Sequence, residues 1–358
     1  MGRGYSENPV GRLGKGPGDA GTGLFPRRGG RVDVSLRTGQ GGSLGGRPRS
    51  GAVASMRRWG VLGVSVLALS LAAGDGRAEA ESSPAPGGFR PFLSVTPFYQ
   101  GRAGLDGGGG FSAAGAITRL GVTRRLGERG LWGLTLNYDY TDYRFDDPGA
   151  FGGEAPWNDV QRVGLSVPIQ FVTGRWGWLV APSVDYFRET GADWNDALTY
   201  GAVVSAARQF SSGRLGLGLG VFNRLEKVKV FPFVPVDWRL SKRWRLTNPL
   251  AAGPTGPAGL EAKYAFASGW EIGAGGAYRN VRFRLDDSGQ AASGVGEERG
   301  IVGFLHVTRS LDRRLALDLY AGAIFDGQIR VEDSHGDTLT EADFDTAPLV
   351  GLTLSARF

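Results

Sequence analysis

The sequence predicts an all-β fold: a transmembrane antiparallel up-and-down β-barrel of about fourteen strands, with twelve as the alternative count. Three observations carry this. Apolar residues recur at every second position, which is the period of a strand and not of a helix. The alternating segments run about 10–15 residues, where a soluble sandwich strand averages five or six and a tilted bilayer-crossing strand needs 9–11. Glycine supplies 61 of 358 residues without a collagen repeat, as small inward positions of a coiled, water-filled sheet require.

The alternation is explicit from 132 to 141. Trp132, Leu134, Leu136, Tyr138 and Tyr140 share one face, and Gly133, Thr135, Asn137, Asp139 and Thr141 share the other. Val163, Leu165 and Phe171 oppose Gly164, Ser166 and Gln170 in the same way, and Val350, Leu352 and Leu354 oppose Gly351, Thr353 and Ser355. One face suits lipid and the other a wet lumen. Hydrocarbon offers no partner to the backbone groups of a sheet edge, so a spanning sheet must close. The segments are 90–103, 111–124, 131–146, 157–171, 176–189, 197–209, 214–226, 228–239, 243–250, 256–267, 269–284, 297–309, 313–331 and 345–358. Five prolines between 232 and 257 weaken that region, because proline cannot donate to a ladder. Loss of 243–250 as a full strand would leave twelve.

Net charge is +6, which invites a nucleic-acid reading until the charge is located. Residues 1–55 hold nine basic and three acidic side chains and 16 glycines. With almost no apolar periodicity this stretch is expected to be disordered. Met56-Arg57-Arg58, an apolar run from Trp59 to Ala73 and Ala78-Glu79-Ala80 form the basic, apolar and small-residue parts of a secretory signal peptide, 56–80. Met56 is therefore expected to be the true start, and 1–55 upstream sequence. A short linker, 81–89, leads into the barrel, 90–358. Residues 81–358 hold 29 basic and 30 acidic side chains, so nucleic acid is not an expected partner. Zero cysteine excludes a disulfide framework and a thiolate metal site.

Connections of two lengths alternate along the chain. The short ones include 125–130, 172–175, 210–213, 240–242 and 310–312; the long ones are 147–156, 190–196, 285–296 and 332–344. We refer to these as the turn end and the loop end. In outer-membrane barrels short turns are periplasmic and long loops extracellular. The loop-end segments 146–157, 189–196, 286–298 and 332–345 carry 16 acids and no Lys or Arg, and the short-turn segments carry ten basic residues against Glu128 and Asp312. Acidic loops are expected to favour cations by their field. Six of the eight Trp after residue 80 flank the short turns, as an interfacial girdle would; Trp157 and Trp194 lie near long loops.

The C-terminus, Val350-Gly-Leu-Thr-Leu-Ser-Ala-Arg-Phe358, resembles that of Gram-negative outer-membrane β-barrel proteins, whose last strand ends in an aromatic preceded by alternating apolar residues. The resemblance implies an outer-membrane location after secretory export, and recognition of Leu352, Leu354, Ala356 and Phe358 by the barrel-assembly machinery. The chain looks most like medium-sized barrels and not the large trimeric porins. Lipid of the outer membrane is the other expected partner.

Residues expected to face the lumen and set selectivity are Asp139, Arg162, Asp185, Arg224, Asp237, Lys263, Glu271, Arg279 and Asp318. Mixed charges line selective channels, and they equally plug a closed barrel with ion pairs. The function expected first is a passive channel for small hydrophilic solutes or ions. The second is a non-conducting structural or adhesive barrel acting through its loops. A third is an outer-membrane hydrolase built on His306, expected to face the lumen near Phe304 and Thr308, or on His335. Glu332-Asp333-Ser334-His335 resembles the Asp/His element of omptin-type proteases, without the opposing acid pair. No catalytic residue is assigned, and no cofactor or metal is expected.

Overall fold

The structure, a computed structural model, describes residues 88–289 and 291–358. The segments 1–55 and 56–80, and most of the 81–89 linker, lie outside the described residues. The strand segments, in chain order, are β1 (Arg90–Gly104), β2 (Gly110–Leu126), β3 (Gly130–Asp146), β4 (Asp159–Ser166), β5 (Ile169–Thr173), β6 (Trp176–Glu189), β7 (Leu198–Phe210), β8 (Gly213–Arg224), β9 (Lys227–Phe233), β10 (Val236–Arg239), β11 (Trp244–Thr247), β12 (Gly259–Ala267), β13 (Trp270–Arg284), β14 (Val295–Ser310), β15 (Leu315–Glu332), β16 (Thr338–Phe344) and β17 (Ala347–Arg357). Three crossings are each split in two: β4–β5, β9–β10 and β16–β17. The first two breaks fall at Pro168 and Pro235, which lack the N–H a ladder needs. The wall is thus a closed antiparallel barrel of fourteen strands, and β1 closes on β17 from Phe92↔Arg357 to Gln100↔Leu349.

The faces point as the alternation requires. Leu134, Leu136, Leu217, Leu305, Leu319, Leu352 and Leu354 stand exposed on the outside. Thr135, Asn137, Ser166, Ser205 and Thr353 are buried within. A soluble sandwich would invert this. Aromatic pairs rim the turn end, among them Phe171–Trp178, Phe210–Trp238 and Trp244–Tyr264.

Two features depart from the sequence expectation. The acidic stretch 332–344 is mostly strand: β16 pairs with β15 from Gly327↔Phe344 to Glu332↔Thr338, leaving a tight turn at 333–337. Trp157 is no girdle residue. It is 1% exposed, packed edge-on to Tyr143, Phe145 and Phe283 inside the barrel.

At the loop end β13, β14 and β15 bend into the lumen. Their alternation stops at Val281–Arg284, Val295–Gly300 and Gly327–Glu332, where both faces are covered. The bend falls at a bulge between Arg299 and Ile301, opposite Asp326 at φ +49°; bulges kink a strand and raise its twist. One face of the bent tips meets β1 and β3: Tyr143 Oη donates to Glu298 at 2.7 Å and Arg279 to Gln100 at 2.8 Å. The opposite face meets the β8–β9 turn, with Arg282 donating to the carbonyls of Arg224 and Leu225. The loop end of the lumen is therefore filled.

The proline-rich connection 248–258 also turns inward. Thr96 Oγ1 donates to the Ala252 carbonyl at 2.7 Å, Thr255 is fully buried, and Pro254 lies against Gly351 on β17. It leaves the wall because β11 and β12 pair over only Trp244↔Tyr264 to Thr247↔Glu261.

Candidate functional site

From the turn end a cavity of about 660 Å³ reaches into the barrel. Arg129, Arg175, Arg214, Arg245 and Lys263 line it, against Asp237 and Glu271. Connection 248–258 forms part of its inner limit, through Asn248, Leu250 and Pro257. Asp237 takes a bidentate pair from Arg245 at 2.6 and 2.8 Å, with Arg214 at 3.7 Å.

Deeper in, charges on adjacent strands interlock. Arg119 on β2 pairs with Asp139 on β3. Asp139 also faces Arg162 on β4 at 3.4 Å, and Arg162 pairs with Asp185 on β6 at 2.8 Å. The register explains the chain of contacts: Asp139 stands opposite Arg162, and Gly164 opposite Asp185. Glycine is needed there, because a Cβ at 164 would lie 1.9 Å from the Asp185 carboxylate. Gly164→Ala is expected to displace Asp185 from Arg162 and to cost about 1–3 kcal/mol, the usual range for overpacking. A urea midpoint in detergent, followed by tryptophan fluorescence, measures this.

A second cluster surrounds His306 on β14, which is 1% exposed. Its Nδ1 lies 2.5 Å from Glu261 and its Nε2 2.9 Å from Asp318. Thr308 Oγ1 donates to Asp318 at 2.7 Å, and Lys263 stands 3.7 Å from Glu261. Tyr320 stacks on the imidazole at 4.2 Å between centroids. Both ring nitrogens meet carboxylate oxygens, so neither is free to take a proton from a hydroxyl. The partners of His306 are acids and a threonine, not a serine. His335 sits exposed on the β15–β16 turn, 3.4 Å from Ser334 Oγ.

All nine residues read as lumenal point inside. Asp139, Arg162 and Asp185 come together, with Arg224 on the same small cavity as the last two; Asp237 and Lys263 line the turn-end cavity with Glu271; Arg279 and Asp318 belong to separate clusters. Sequence reading missed Arg119, Glu261, Arg282, Glu297 and Glu332, and placed Asn137 and Ser166 on the wet face without singling them out. Glu261 lies two residues from Lys263, so the same parity could have placed it. Arg282 and Glu297 have outward parity and are buried only because the sheet bends; Glu332 has the parity of Asp318 but lies in the stretch read as a loop, and the β15 bulge moves it onto the face of Arg282 and Glu297.

At the loop end most acids have local partners. Glu189 accepts from the backbone N–H of Asn158 and Asp286 at 2.8 and 3.1 Å. Glu341 pairs with Arg330 at 2.5 Å and Glu332 with Arg282 and Lys227. On the exposed β15–β16 turn the backbone N–H groups of Asp337 and His335 hold the Asp333 carboxyl below the usual carboxylate range.

A closed wall, an apolar outer belt with aromatic rims and a polar interior define a transmembrane β-barrel of the outer-membrane type. Within that class the chain belongs to a family described as a domain of unknown function, DUF6268, whose model matches residues 127–354. No curated protein matches it. Among solved structures, the COG4313 outer membrane channel from Pseudomonas putida F1 is similar at a TM-score of 0.40 and 10% identity, over 78% of this chain and 98% of that one. A Pseudomonas aeruginosa FadL homologue gives 0.37 and 11%, over 75% and 89%. The Pseudomonas putida toluene transporter TodX gives 0.36 and 10%, over 76% and 90%.

Proposed function

We propose that the protein is an outer-membrane channel for small hydrophilic solutes, with its short turns in the periplasm and its acidic loops outside. The observation that carries this reading is the polar lumen. Charged side chains line the turn-end cavity and continue, on adjacent strands, into the Arg119–Asp139–Arg162–Asp185 chain at mid-lumen. A purely structural barrel could fill that volume with apolar side chains at lower desolvation cost. Export by the secretory route and assembly through Leu352, Leu354, Ala356 and Phe358 belong to the same proposal. So does the absence of catalysis, since the proton-accepting positions of His306 are occupied.

The filled loop end favours a second reading, a barrel that does not conduct and acts through its loops. Single-channel recording distinguishes the two. Protein purified from membranes is incorporated into a planar bilayer under a salt gradient. Steady small openings are expected. Silence from a folded barrel, one that shifts in electrophoretic mobility on heating, would leave the second reading standing.

A further inference from the structure

Between the mid-lumen charges and the wall of β6–β8 lies a small, partly open cavity of about 40 Å³. Asn137, Ser166, Thr199, Arg162, Asp185 and Arg224 supply its polar lining, and Ala181, Val203 and Phe222 its apolar part. Asn137 is fully buried and Ser166 is 1% exposed, yet both amide atoms of Asn137 and the Ser166 hydroxyl lack a hydrogen-bond partner. Buried polar groups are nearly always satisfied, and exceptions call for an explanation. Arg162 is held by Asp139 and Asp185. Arg224, 8% exposed, has no carboxylate of its own within 4 Å among the described residues; its guanidinium donates to Asn280 Oδ1 at 3.3 Å.

The cavity thus offers a guanidinium with no carboxylate within 4 Å, an amide donor and a hydroxyl donor on one side, with the lining Asp185 already engaged by Arg162, and small apolar surface on the other. We propose that it is a binding site for a short-chain carboxylate of the size of acetate, the anionic end on Arg224, Asn137 and Ser166 and the methyl end on Ala181, Val203 and Phe222. Three donors fit two carboxylate oxygens, and charge assistance makes such bonds the strong ones. A halide would leave the apolar wall unused, and a cation would meet Arg224. The volume admits roughly three water-sized groups, which matches a four-atom anion after slight side-chain movement. The basic lining of the turn-end cavity would raise the local concentration of anions. This assignment names a substrate class for the channel reading and rests on it only for transport, not for binding.

The test is saturation-transfer NMR on detergent-purified protein, with acetate as ligand and tetramethylammonium as a methyl-bearing cationic control. Transfer to the acetate methyl and none to the cation is expected. Arg224→Met should abolish it, and the milder Ser166→Ala should weaken acetate binding about tenfold while keeping the heat-modifiable mobility of a folded barrel. No acetate signal, equal signals from both probes, or an acetate signal unchanged in Ser166→Ala and in a folded Arg224→Met would overturn the site. Bilayer recording of the same samples separates the two proposals. Acetate binding without conductance keeps the site and removes the channel; conductance without acetate binding does the reverse.

Discussion

Replacing Arg282 with methionine is expected to cost the barrel about 3–5 kcal/mol, the range for breaking a buried ion pair by removing one partner. Arg282 is 1% exposed. It pairs with Glu297 at 2.9 Å and with Glu332 at 2.7 Å, and both carboxylates are buried. It also donates to the carbonyls of Arg224 and Leu225. Its loss leaves two buried acids between the bent β13–β15 tips and the β8–β9 turn with a side-chain hydrogen bond each, from Lys227 to Glu332 at 2.8 Å and from Asn280 to Glu297 at 2.5 Å. Arg282→Lys is expected to recover only part of this, because an ammonium cannot present the guanidinium's fork to both carboxylates. The measurement is a urea midpoint in detergent. Equal midpoints for wild type and Arg282→Met would mean that the bent tips do not rest on this cluster.

The second large effect concerns connection 248–258. Exchanging 250–257 for a short Gly/Ser turn is expected to raise unitary conductance several-fold, because the segment lies across the lumen and touches the far wall at Thr96 and Gly351. Its fixed points include the Thr96–Ala252 hydrogen bond, short-range turn bonds such as Gly253 N–H to the Leu250 carbonyl at 2.9 Å, and the contact of Pro254 with Gly351. The wall itself should survive, since β11–β12 and β12–β13 pair without it. Conductance equal to that of wild type would place the narrowest point elsewhere, at the bent tips.

Much of the fold is legible in the sequence, for a physical reason. A strand has period two, so a lipid face and a wet face print themselves directly onto 132–141 or 350–357, and strand length then separates membrane from sandwich. Lumen residues follow by parity, which is why Asp139, Asp185 and Asp318 read as inward from sequence. Their partners were not legible, because cross-strand neighbours depend on shear. Nothing in the local sequence distinguishes Asp139 facing Arg162 from Asp139 facing another strand. Parity also fails where the sheet bends. Arg282 and Glu297 read as outward, yet the bend at the bulge beside Gly300 covers their face, and that bulge moves Glu332, which has the parity of Asp318, onto the same face. Likewise, the prolines weaken 232–257 as strand without marking all of 248–258 as a connection, and the void it turns into is a property of the closed barrel. The acids of 332–345 looked like a loop because charge dominates there, yet Thr338, Thr340 and Ala342 keep the alternation that lets β16 pair.

The chain contains no cysteine, so a single introduced thiol reports unambiguously on its surroundings. The most direct test of the central claim, a polar path inside a lipid-facing barrel, is labelling of Ser205→Cys and Leu217→Cys in the membrane with a charged methanethiosulfonate. Ser205 lines the turn-end cavity of about 660 Å³ and Leu217 is 74% exposed on the outer belt. The account predicts modification of Ser205→Cys with a fall in conductance, and protection of Leu217→Cys by lipid. Rapid labelling of Leu217→Cys with Ser205→Cys untouched would contradict it.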